Sequence, residues 1–188
     1  MKRFSLLAML LTSVPALAQP ALTAPPSDGA ATTGTSPSTS MGATMNATKF
    51  AELATASGEF GIASSRLATE KATSSEVKAF ARGLGEEHAR LARGFRAALQ
   101  GANAAVSLPS QVVLDATRLA VMEQLRAASE RDFDRIYVQA QVLSLEEALV
   151  FVSAYAESGD DPALKRFAVK TIPTIEGQLQ RARALRPA

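Results

Sequence analysis

The chain has 188 residues, 47% of them hydrophobic and 20% charged, with no cysteine, no tryptophan and a single histidine, His88. The lack of cysteine excludes disulfides, thiolate nucleophiles and thiolate metal sites. Its 20 Lys and Arg stand against 18 Asp and Glu. Two of those bases, Lys2 and Arg3, sit at the extreme N-terminus. Without them the count is 18 against 18, which leaves none of the positive surplus that a nucleic-acid binder needs to displace counterions from phosphates.

Residues 1–18 read as a secretory signal peptide. Lys2 and Arg3 give a basic start, an apolar run follows, and Ala16-Leu17-Ala18 is a small-residue cleavage pattern. The run is shorter than the roughly 20 residues that span a bilayer. No cysteine follows it to carry a lipid, and no later segment reads as transmembrane. Residues 19–46 are rich in Ala, Thr, Ser, Pro and Gly, with Asp28 as the only charge. Such a stretch cannot bury enough apolar surface to offset its ordering entropy, so a disordered linker is expected. Residues 47–186 are then one domain, large enough to bury roughly 70% of its unfolded-chain surface.

Within that domain the apolar spacing is helical throughout. A first helix is expected over 47–72, with Phe50, Ser57, Phe60, Gly61, Ser64 and Ala68 on its inner face. Thr73 and Glu76 form a capping-box pair for a second helix that runs to Gln100, with Val77, Phe80, Leu84, His88, Leu91 and Phe95 inward and Gly101 as its stop. Gly83, Gly85 and Gly94 lie inside this helix, where each costs about 1 kcal/mol relative to Ala; close helix packing is their expected purpose. After Leu108-Pro109-Ser110 a shorter helix is expected over 111–127, with Val112, Leu119, Met122 and Leu125 inward. Ser129 with Asp132 caps the next helix, which is apolar over a wide arc that includes Phe133, Tyr137, Leu143, Val150 and Phe151. Asp161 caps the last helix, with Pro162 at its first position and Pro173 inside it as an expected kink. Arg181, Arg183 and Arg186 near its end complement the helix dipole. The sum is an all-α fold: a ferritin-like antiparallel four-helix bundle with a short extra helix in the crossover.

His88 is the one residue through which most chemistry would have to pass. A buried neutral imidazole is a good metal ligand or acid–base group, and equally a core histidine with a satisfied hydrogen bond. A di-iron site needs two Glu-x-x-His pairs. One histidine cannot supply them, and Gly85 stands three residues before it. A single divalent metal would need His88 with Glu87, Asp134 or Glu147. No strand-to-helix serine elbow and no glycine-rich phosphate loop is present, so no catalytic or cofactor-binding residue is assigned.

Several segments carry a resemblance. Glu76-Val-Lys-Ala-Phe-Ala-Arg82, Glu87-His88, Phe133-Asp134-Arg-Ile-Tyr137, Asp161-Pro-Ala-Leu-Lys-Arg-Phe-Ala168 and Thr171-Ile-Pro173, with Leu179 beyond, resemble the exported bacterial family called domain of unknown function forty-one forty-two, often labelled an outer membrane protein. The resemblance covers about 48–185. It implies a periplasmic, ferritin-like helical bundle with outer-membrane association, and no assigned activity. The family's pattern has a glutamate where this chain has Gly61, and histidines where it has Leu145 and Gln178. Glu87-His88 matches. The resemblance therefore implies that His88, with Glu87, is the remnant of a metal site, now in a core hydrogen bond with Gln178.

Three readings follow. The first is a non-enzymatic exported bundle that binds a partner protein or an envelope component. The second is a metal-binding protein with a degenerate site at His88. The third is a carrier of a small apolar ligand in the bundle core, which the apolar arc of residues 138–154 suggests.

Overall fold

A computed structural model describes residues 45–102, 106 and 114–186. The expected signal peptide, nearly all of the linker, and the break at Leu108-Pro109-Ser110 lie outside the described residues. Those residues form five helices and no strand: α1 Ala47–Lys71, α2 Ser75–Gln100, α3 Ala116–Ala127, α4 Glu130–Ser158 and α5 Pro162–Ala184.

Each helix starts where a short polar side chain can accept from its first free backbone N–H groups. Asn46, Ser74, Asp115, Ser129 and Asp161 fill that position in turn. Ser129 and Asp132 pair as expected, and Asp161 accepts from the amides of Ala163 and Leu164 beside Pro162. Two starts differ from expectation. The cap of α2 is Ser74, because the Thr73 hydroxyl is donated to Asp134 instead. α3 begins at Ala116, after Asp115 accepts from Arg118 N; residues 111–113 lie outside the description. α5 continues through Pro173, whose missing donor breaks one bond but not the helix.

α1 and α2 form an antiparallel hairpin, with Gly61 opposite His88 and Ser65 opposite Gly85. α4 and α5 form another, joined near Tyr155 and Asp161 and bridged farther along by Arg183 and Glu146 at 2.6 Å. α1 also packs on α4, α2 on α5, and α3 against α1 and α4. Two apolar clusters result. One centres on Phe50, Phe95, Phe151, Tyr155 and Leu164; there Phe50 stacks on Tyr155 at 4.1 Å between ring centroids. The other centres on Phe60, Met122, Leu125, Phe133 and Tyr137. Between them along α4 lies Gln141, fully buried, whose Nε2 donates to Ser64 Oγ at 3.1 Å. Ser65 and Tyr137 share a hydrogen bond one turn away, and burial pushes the Tyr137 phenol well above its ordinary pKa.

Three residues expected inward are outward. Leu119 is 45% exposed, Leu143 59% and Val150 72%. The buried stripe of α4 runs through Phe133, Tyr137, Gln141, Leu145, Ala148, Val152 and Tyr155, and Leu143 and Val150 lie off it. α4 is also, by length and composition alone, long and apolar enough to cross a membrane: it has 29 residues and contains an 18-residue window with a mean hydropathy of 1.2. That differs from the sequence reading; here its stripe packs against α1, α5 and α3. The glycines differ as well. Of the three inside α2, only Gly85 is closely approached, by Ser65; Gly94 is in ordinary contact with Phe167, and Gly83 faces open space.

Several polar side chains act across elements. The carboxylate of Asp134, buried in α4, accepts from Ser74 N at 2.7 Å, Thr73 Oγ1 at 2.8 Å and Thr73 N at 3.1 Å, and so closes the start of α2. Lys71 Nζ donates to the carbonyls of Leu125, Arg126 and Ala128 at the end of α3. Arg118, buried, binds Asp115 and reaches Glu147 at 2.9 Å. At the end of α5, Arg186 donates to the carbonyls of Arg183 and Leu185.

Candidate functional site

His88 is set on the inner side of α2 by the helical spacing that also turns Leu84 inward. Across from it α1 presents Gly61. The imidazole lies against the bare Cα of Gly61, and a methyl group there would overlap the ring atoms Cδ2, Nε2 and Cε1. The glycine is required by this close approach, not by its backbone conformation. A glutamate at the same position would have to occupy the volume the ring now fills.

The imidazole makes no hydrogen bond to a described residue. Its polar atoms are not sealed away either, because the ring borders a cavity. Burial pushes its pKa down to about 4, so at neutral pH the ring is uncharged and can both donate and accept.

The cavity holds about 360 Å³. That is near the lower end of the roughly 300–1,000 Å³ of small-molecule sites. Its far walls are Leu145, Ala148, Phe151 and Val152 of α4, and Phe167, Thr171 and Ile175 of α5. Its near side combines small residues, Ala54, Thr55, Ser57 and Gly58 of α1 and Ala89 and Ala92 of α2, with the larger Ile62, Leu91 and Phe95. No atom outside α1 approaches within 4 Å of where a side chain on Gly58 would begin. The exposed members of the lining are Glu59, Arg93 and Arg96, so the cavity opens between α1 and α2. Glu59, Arg93 and Arg96 form no ion pair among the described residues.

The expected site residues do not converge. Glu87 follows the next direction around α2, and its carboxylate is taken by Arg90, whose Nε donates at 3.2 Å. Asp134 is committed to the start of α2, and Glu147 to Arg118. Gln178 is buried but lines a separate depression with Phe80, Gly83 and Arg181, and the expected His88–Gln178 hydrogen bond is not formed. Residues of α5 nearer its start, Thr171 and Ile175, are the ones that share the cavity with His88. Gly61 lies against the His88 ring, and Leu145 lines the same cavity. No group of three His, Asp or Glu side chains converges among the described residues.

Sequence reasoning found His88 and missed the space around it. Its signal was faint: small residues at 54, 57, 58 and 61 on α1, and at 85, 89 and 92 on α2, which mark two helix faces that approach without filling the gap.

No curated protein and no solved structure matches the chain. A family model described as a domain of unknown function (DUF4142) matches residues 32–185, starting ahead of α1 and running to the end of α5. The chain belongs to the DUF4142 family.

Proposed function

We propose that this protein is a non-enzymatic, exported, ferritin-like four-helix bundle that binds a small apolar component of the cell envelope in the cavity beside His88. The observation that carries the reading is the cavity itself: about 360 Å³, walled mostly by hydrocarbon, with a neutral imidazole and a few hydroxyls as its inner polar groups. A few placed polar groups in an otherwise apolar hollow are what small-molecule sites have in common. Export rests on the basic, apolar and small-residue pattern of residues 1–18. The absence of an activated nucleophile or a converging ligand set in the sequence favours binding over catalysis.

The test is a saturable titration with N-phenyl-1-naphthylamine, a neutral fluorescent probe. One molecule bound per chain is expected, and binding should be lost in Ala148→Phe, which fills the far wall. If the probe fails to saturate, or if the filled variant binds it equally well, the cavity is not a binding site.

A further inference from the structure

The charged residues at the mouth go further than the apolar walls. Arg93 and Arg96 are one turn apart on α2, both exposed, both part of the lining, and neither has an ion-pair partner among the described residues. Elsewhere among the described residues Arg66, Arg90, Arg118, Arg126, Arg135 and Arg183 are paired with acids, and Arg82, Arg131, Arg166, Arg181 and Arg186 are not; Arg93 and Arg96 are the two arginines that line the cavity. One acid, Glu59, stands on the α1 side of the same opening, so the mouth carries a net positive charge of one. Behind the two arginines the walls are mostly hydrocarbon as far as α4 and α5, interrupted by His88 and the hydroxyl side chains of Thr55, Ser57 and Thr171.

We propose that the cavity takes a single-chain alkyl carboxylate, its head held at the mouth by Arg93 and Arg96 and its chain running inward past His88 toward Phe151 and Ile175. The guanidinium fork matches a carboxylate, so two forks one turn apart can share one head group. On the α1 and α2 side the lining includes Thr55, Gly58, Ala89 and Ala92. About a dozen water-sized groups of roughly 30 Å³ would fill the volume, which suits a medium-length chain. The neutral imidazole lets that chain pass without facing a buried charge. This rests on the cavity reading above and adds the chemical class of its ligand.

The experiment compares decanoate with decanol, binding to the full chain at pH 7.5 by competition against the neutral naphthylamine probe. Solvent-exposed ion pairs contribute about two- to five-fold each, so decanoate should bind about five-fold or more tighter than decanol. The difference should shrink as salt rises. The double variant Arg93→Gln, Arg96→Gln should bring the acid to parity with the alcohol. Glu59→Gln should tighten the acid alone. Both ligands should be lost in Ala148→Phe. Equal affinity for acid and alcohol overturns the head-group assignment and leaves the cavity reading standing. Binding of neither ligand overturns both. Retention of decanoate by the filled variant places it outside the cavity and also overturns the proposal.

Discussion

Gly61 offers the sharpest test of the geometry at His88. Replacing it with alanine puts a methyl group into the imidazole, where it would overlap three ring atoms. Overpacking of this kind costs about 1–3 kcal/mol. Against it stands the helix preference for alanine over glycine, worth about 1 kcal/mol in a helix interior. The ring has the cavity on one side and can shift into it, so the lower half of the range applies. The net expectation for Gly61→Ala is a loss of about 0–1 kcal/mol. The informative quantity is the sign change when the ring is absent. In a His88→Ala background nothing opposes the new methyl group, and Gly61→Ala should stabilise by about 1 kcal/mol. The coupling between the two sites is therefore about 1–2 kcal/mol, within reach of a double-mutant cycle. Urea unfolding of the four proteins measures it. Thermal melts give a parallel readout at roughly 2–4 °C per kcal/mol for a domain of this size. If Gly61→Ala stabilises both backgrounds equally, the ring does not lie where the structure has it, and the space argument for this glycine fails.

The remaining expectations concern pH and the turn between α1 and α2. Burial holds the folded-state pKa of His88 near 4, against 6.5 for the free side chain. Below pH 6.5 the unfolded chain therefore binds the proton first. Stability is full above that value and falls as pH drops from 6.5 towards 4, by at most about 3 kcal/mol. Because this is the only histidine, its ring-proton resonances report the titration without ambiguity; a midpoint above 6 would refute the burial, and His88→Gln should flatten the same stretch of the stability profile. Asp134→Ala removes the acceptor for two amides and a hydroxyl at the start of α2, at a cost of about 3 kcal/mol. Amide exchange at Thr73 and Ser74 should speed up in that variant; unchanged protection there would show that the contacts carry no weight.

The starts of α4 and α5 were legible because their chemistry is local. Ser129 with Asp132, and Asp161 with Pro162, act on backbone groups within three residues of themselves. Asp134 and Lys71 were not legible. Each spends its polar atoms on backbone more than 50 residues away, and nothing in the neighbouring sequence marks the partner. The faces of α3 and α4 were only half legible. Hydrophobicity alone put Leu119, Leu143 and Val150 inward, whereas the partner helices select one stripe, and that stripe includes the polar Gln141 because Ser64 stands ready to accept its proton. At the site, the inward setting of His88 could be read from its spacing. The cavity could not, since it depends on which small side chains meet across α1 and α2 and on the bare Cα of Gly61.

The turn over residues 72–74 has a consequence for how the chain can be divided. On one side of it Lys71 satisfies the end of α3; on the other Thr73 and Ser74 lean on α4. The first hairpin thus has its bend completed by residues from the second half of the protein. A fragment ending at Gln100 would carry both long helices but leave the first amides of α2 without Asp134 and the ammonium of Lys71 without its carbonyls. Two such halves, produced separately, should recover helix only on mixing, with the bend and not the helix shafts as the point of recognition.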